Sequence, residues 1–247
     1  MAAVRVHGAA VVAALTAQNS AGVTGLRPVS RAFLRGQLEA AASELRIAAV
    51  KTGVLAESGL VAEAAAFLEE ASIPRVVVDP VLHASSGAPL LSRRGLSALK
   101  RVLLPLAAVV TPNIMEAEKL AGCPIRNTAE MRRAAEKILR LGCKGVVVKG
   151  GHLAGGKAAD LFFDGARFRL YEAPRLTGSE RRGAGCTFSA AIAAYLALGL
   201  PAEQAVLRAK ELILRAFAAP RLPGKKGGLD PFIPGEKRGL RVTVRII

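Results

Sequence analysis

Two patterns alternate along the 247-residue chain. Short apolar runs rich in valine are separated by longer segments whose apolar positions recur every three or four residues. The first pattern fits strands buried on both faces, the second amphipathic helices. Strands are predicted over residues 9–17, 47–53, 74–80, 106–113 and 144–151. Helices are predicted over 30–46, 58–72, 92–104, 127–142, 184–199 and 201–217, with another opening at "TPNIMEAEKL". Ser30 is placed to cap the first helix. Asn127 caps the 127–142 helix, Glu130 completes a capping box there and Gly142 stops it. The stretch "ADLFFDGARFRLYEA" predicts a hairpin turning at Asp164-Gly165. Such alternation implies βαβ units, right-handed crossovers and a mainly parallel, doubly wound sheet with helices on both faces. Residues 220–241 are rich in Pro, Gly and charge and read as a loop, and "RVTVRII" alternates well enough for a terminal edge strand. The expected organisation is one domain over 1–219 and a tail over 220–247.

Composition narrows the function classes. Apolar residues make up 51% of the chain, enough for a substantial core. No apolar run is long enough to span a bilayer. The first residues faintly imitate a signal peptide, but His7 and Gly8 interrupt it and no clean cleavage site follows. The three cysteines, Cys123, Cys143 and Cys186, form no CxxC pair and suit a reducing cytoplasm. The net charge of +16 would attract nucleic acid or an anionic small molecule. The basic residues are spread along the chain, there is no Trp and aromatics are 4%, which disfavours nucleic acid. His7, His83 and His152 are isolated, so no His/Cys metal cluster is expected. No P-loop, dinucleotide fingerprint or G-x-S-x-G elbow occurs.

In doubly wound sheets ligands bind at the carboxyl ends of strands. The polar stretches there are Gln18-Asn19, Lys51-Thr52-Gly53, Asp79-Pro80, Thr111-Pro112-Asn113, Lys149-Gly150-Gly151-His152 and "RRGAGC". Gly183-Ala184-Gly185 opens a helix, which lets backbone N–H groups turn together toward an anion or simply makes a tight turn. Cys186 falls in the first turn, where a helix N-terminus lowers a thiol's pKa; it is either a base for a hydroxyl or an inert small residue. Asn113 and Glu116 have capping-box spacing, and the same Glu could hold Mg²⁺ through water. Asp79 closes a turn or holds metal. Lys149 contacts phosphate or is merely solvated.

The segments "ALTAQNSAGV", "KTGVLAE", "DPVLHASSGAPLL", "TPNIMEAEKLAG", "VVVKGGHL" and "GAGCTFSAAIAA" stand in an order that resembles the hydroxymethylpyrimidine/phosphomethylpyrimidine kinases of thiamine biosynthesis, within the ribokinase-like superfamily. The resemblance runs from about residue 6 to 217. It implies a three-layer α/β/α fold and ATP- and Mg²⁺-dependent phosphorylation of a pyrimidine's hydroxymethyl group, then of the monophosphate. It implies that Gln18 bonds the pyrimidine ring and Val54 lines its pocket. Gly183, Ala184, Gly185 and Cys186 would form the anion hole, with Cys186 as base. Asp79, Asn113 and Glu116 would serve the Mg²⁺–phosphate region, with Asp79 and Glu116 toward the metal, and Lys149 the nucleotide. The resemblance implies a cytoplasmic enzyme and, as is usual among such relatives, a homodimer. Pyridoxal kinases share the cysteine-containing turn and are the rival reading, with a non-catalytic relative as a third; Gln18 favours the pyrimidine. Three departures stand out. The family's opening strand, with its "GSDSSGGAGIQAD"-like loop, is absent, which implies a sheet one strand short and a pocket one wall short. Arg181-Arg182 replaces a usual Thr-His; Arg182 would grip phosphate or be surface charge. Ser85 replaces a common Lys.

Overall fold

The computed structural model describes residues 1–19, 21–151, 156–176, 183–218 and 241–247. The expected loop at 220–241, His152 and the Arg181-Arg182 pair lie almost wholly or wholly outside these residues. A seven-stranded sheet runs β3 (Val50–Thr52), β4 (Val76–Val78), β5 (Val109–Val110), β6 (Val146–Gly150), β7 (Lys157–Phe163), β8 (Phe168–Pro174) and β9 (Thr243–Ile246). The first four strands are parallel and the rest add antiparallel. Strand order follows chain order, so right-handed crossovers put the helices joining β3 to β6 on one face. These are α2 (Ser58–Glu70), α3 (Arg93–Ala98), α4 (Ile114–Ala121) and α5 (Thr128–Leu139). α6 (Ala184–Ala197) and α7 (Ala202–Ala218), which follow the hairpin, cover the other face.

The valine runs explain the layering. Side chains alternate across a strand, so Val76 and Val78 join Leu60, Val61 and Leu103 in one core, while Val77 joins Phe188, Ile192 and Val206 in the other. A strand buried on both faces has no polar position to offer, hence three valines in a row.

Caps fix the helix starts. Ser30 Oγ accepts the Phe33 N–H at the head of α1 (Arg31–Glu44), and Asn113 and Glu116 complete a capping box on α4. On α5, Asn127 accepts from Glu130 N, but the Glu130 carboxylate takes the Arg126 N–H, so the expected box is only half made. The hairpin turns as expected, with Asp164 Oδ1 accepting from Ala166 N and Arg167 N and Gly165 at φ 91°.

Further expectations are corrected. The run 9–17 is not a buried strand. β1 spans Ala14–Gln18 and pairs antiparallel with β2 (Val23–Pro28) in a separate two-stranded ribbon, with Leu15 63% exposed. Its apolarity comes mostly from alanines, which carry little area to bury. The helix over 92–104 also changes form: α3 passes into a π-helical turn over Leu99–Leu103 and a 3-10 turn over Leu104–Leu106, where Pro105 has no N–H to continue the ladder.

Leu103→Ala is expected to cost about 2–5 kcal/mol in denaturant unfolding, because Leu103 is wholly buried. Leu15→Ala is expected to change stability by less than about 0.5 kcal/mol; a large loss there would restore the buried-strand reading.

Candidate active site

The carboxyl ends of β3 to β6 place four polar residues around one point. Asp79, just past β4, is 3% exposed. Its Oδ1 receives Lys149 Nζ at 3.1 Å, and Lys51 Nζ lies 3.6 Å from Oδ2. Thr111 Oγ1 and Ser189 Oγ also donate to it, at 3.3 and 3.1 Å. Burial alone would raise the Asp79 carboxyl, but Lys149 and Lys51 outweigh it and hold it below the ordinary carboxylate range. Burial likewise disfavours the Lys149 ammonium, and Asp79 and Glu116 reverse that, so Lys149 titrates above its usual value.

Backbone pairing locks Lys149 in place. Its N–H donates to Pro112 O at 2.8 Å, and it bridges Asn113 on one side and faces Asp160 of β7 on the other. Its ammonium also rests against the start of α6: a Cβ built on Gly185 would meet Lys149 Nζ at 3.4 Å. Gly183 caps α6 in the left-handed region at φ 82°, which glycine adopts without strain, and among the described residues no side chain caps the helix. The first-turn N–H groups of α6 therefore have no cap from a described side chain and lie beside two ammonium groups, a geometry suited to an anion.

Glu116 is 5% exposed and accepts the Asn113 N–H at 2.8 Å. Burial lifts its pKa to about 7, with Lys149 opposing and the Asp79 charge adding to the rise. Among the described residues no cluster of three or more His, Cys, Asp or Glu side chains could hold a metal ion. The pair Asp79 and Glu116 remains, near enough to feel each other's charge. That donor set fits a hard cation such as Mg²⁺, which takes one or two carboxylates and draws its other oxygens from water and phosphate.

Cys186 behaves opposite to the expectation for a helix N-terminus. The residue touches solvent at the mouth of a cleft, yet the surrounding protein raises its pKa and the Asp79 charge adds to this, with Lys51 and Lys149 pulling the other way. Cys186 and Gly183 line a cavity of about 500 Å³ with Thr187 and Leu212.

The structure thus gathers Asp79, Asn113, Glu116, Lys149, Gly183, Ala184, Gly185 and Cys186. Val54 is half-buried and lines a different cavity, of about 890 Å³, beside β3. Gln18 ends β1, exposed, on the ribbon whose Gly22 approaches Ser86 of the loop after β4. Arg182 lies outside the described residues. Lys51 and Thr111 stand among the strand-end residues singled out from the sequence, but no role was assigned to either. Ser189, inside a helix of small residues, had no signal.

Glu116 carries a pH signature. Its folded pKa of about 7 exceeds the ordinary 4.5, so the folded state holds the extra proton. Its contribution is fully favourable below about pH 4.5 and is lost as pH rises through about 7. In chelator-containing buffer, Glu116→Gln is expected to raise stability at pH 8 and leave it little changed at pH 5; unfolding curves at both pH values check this. For Cys186, iodoacetamide at pH 7.5 is expected to react more slowly than with a free thiol. Faster labelling, followed by mass spectrometry, would contradict the raised pKa.

A family model described as phosphomethylpyrimidine kinase matches residues 1–229. The chain is 45% identical over 218 residues to the hydroxymethylpyrimidine/phosphomethylpyrimidine kinase of Rhizobium meliloti, covering 88% of this chain and 82% of that protein. It is also 45% identical to a thiamine biosynthesis bifunctional protein of Geobacter sulfurreducens, over 90% of this chain but only 45% of that longer protein. A phosphomethylpyrimidine kinase structure from Clostridium difficile superposes at TM-score 0.76 with 36% identity, covering 87% of this chain and 88% of that one. A Staphylococcus aureus pyridoxal kinase solved with AMP-PCP and pyridoxal superposes at 0.89 with 29% identity, covering all of this chain and 90% of that one. The chain belongs to the phosphomethylpyrimidine kinase family and has its ribokinase-like fold.

Proposed function

We propose that this kinase transfers the γ-phosphoryl group of ATP to the hydroxymethyl group of 4-amino-5-hydroxymethyl-2-methylpyrimidine, and then phosphorylates the monophosphate, in thiamine diphosphate biosynthesis. One observation carries the reading: the uncapped start of α6 faces Lys149 and Lys51 at the carboxyl ends of the parallel strands. Phosphoryl transfer asks mainly for positioning and for neutralisation of spreading charge. The N–H groups of Ala184, Gly185 and Cys186 would receive the transferring group's oxygens. Lys149 would neutralise charge on the nucleotide side, with Asn113 beside it. Asp79 keeps Lys149 charged and holds the ammonium groups of both lysines in place. Mg²⁺, when bound, supplies Lewis-acid neutralisation of phosphate oxygens, and Glu116 and Asp79 would hold it.

Cys186 would face the acceptor hydroxyl. Its raised pKa leaves it mainly a thiol in the free enzyme, so the base would be the minor thiolate form, which takes the hydroxyl's proton and becomes the thiol as the new O–P bond forms and the P–O bond to ADP breaks. Gln18 would contact the ring from the ribbon, and Val54 would flank it from the second cavity, which adjoins the first at Met1 and Gly8. Arg182, preceding the turn, would add a guanidinium to the phosphate side. A cytoplasmic location fits the chemistry. Among the described residues no helix is long and apolar enough to cross a membrane. The exposed ribbon, too small to be stable as two isolated strands, supports a homodimer.

A second reading, pyridoxal phosphorylation, is favoured by the higher TM-score of the pyridoxal kinase. A coupled ADP-release assay with the pyrimidine and with pyridoxal separates the two. Pyrimidine-dependent turnover, with pyridoxal poorer in kcat/KM, is expected, and a reversed preference would transfer the assignment. Cys186→Ala is expected to lower kcat about 10²-fold with little change in melting temperature. Undiminished turnover would remove the cysteine from the mechanism.

A further inference from the structure

A buried ion pair lies outside the site, one strand away from Lys149. Asp160 on β7 and Lys210 on α7 are 6% and 7% exposed, and Lys210 Nζ sits 2.6 Å from Asp160 Oδ2. The other carboxylate oxygen, Oδ1, accepts the Gly150 N–H at 3.0 Å. Gly150 is the residue after Lys149 and the last of β6. It has no room for a side chain, because a Cβ there would fall 2.2 Å from Ala159 O. β6 and β7 are therefore pressed together where the chain leaves the sheet.

Asp160 is also the ladder partner of Lys149. Val147 and Phe162 belong to the α6–α7 core, so by alternation Lys149 and Asp160 stand side by side on that face. Directly opposed residues have Cβ atoms about 5 Å apart, well within a lysine's reach. An unneutralised Asp160 would compete with Asp79 for the Lys149 ammonium. Lys210 removes that competition.

We infer that Asp160 and Lys210 are positioning residues for Lys149: Asp160 anchors the end of β6 through the Gly150 N–H, and Lys210 neutralises Asp160 so that Lys149 stays on Asp79 and the α6 turn. This rests on the reading that Lys149 serves the nucleotide phosphates. A merely structural pair would change stability alone.

The test compares two double variants that bury no lone charge, an exchange such sites often tolerate. Asp160→Asn with Lys210→Met keeps an acceptor for Gly150, whereas Asp160→Leu with Lys210→Met removes it. The readouts are melting temperature, Kd for a non-hydrolysable ATP analogue, and KM for ATP against kcat. The asparagine double is expected to stay within about threefold of the parent in Kd and KM. The leucine double is expected to weaken both by at least about tenfold, as small misplacements do, with the melting transition still cooperative. Equal Kd values in the two doubles overturn the inference. If the leucine double does not fold, Asp160→Glu decides: it keeps the charge pair but shifts the acceptor, and an unchanged KM for ATP overturns the inference. Lys149→Ala runs alongside. If it leaves Kd and KM unchanged, the nucleotide role of Lys149 fails; if it weakens them while the leucine double does not, only the role of the pair fails.

Discussion

The site depends on one buried carboxylate. Asp79 holds two lysines that would otherwise repel each other, and it does so from the end of a strand whose other residues are all valine. In the interior each ammonium needs this counter-ion, and the carboxylate needs them. The arrangement concentrates positive charge at the edge of the core, beside the start of α6. Ser189 and Thr111 complete the carboxylate's hydrogen bonds and tie α6 and the end of β5 to the same point. Charge balance and packing are therefore one constraint: whatever moves Asp79 moves the helix start that faces the ligand.

Much of this architecture was legible from local chemistry. The valine runs announced two-sided burial, and Ser30, Asn113 and Asn127 announced helix starts. The rule that ligands gather at strand ends picked out Asp79, Asn113, Lys149 and the glycine turn before any contact was known, and capping-box spacing added Glu116. What failed did so for tertiary reasons. The alanines of 9–17 look apolar but lack the bulk that fixes a strand in a core, so the chain uses its next residues for a ribbon. The expected strand over 106–113 shrinks to Val109–Val110, with Pro105 before it and Pro112 after it.

The chemistry of single groups was the least legible. A cysteine in a helix's first turn looks acidic until a carboxylate 107 positions earlier in the chain comes to lie near it. Glu116 looks like a cap and is one, yet burial also makes it a proton carrier near neutrality. Asp160 and Lys210 sit 50 residues apart with no motif to join them. Spacing along the chain carries no information about such pairs, and only the layering of β7 under α7 does.

The order of the sheet has a consequence for how the molecule comes into being. From β3 to β8 each strand lays itself against the one just made, so a chain emerging from the ribosome can extend the sheet step by step, closing one crossover or hairpin at a time. The bond between Ser189 and Asp79 spans 110 residues and cannot form until α6 has been synthesised. The proposed anion-binding face is thus the last part of the parallel core to be assembled, and a nascent chain acquires its sheet well before Asp79 and the start of α6 are joined.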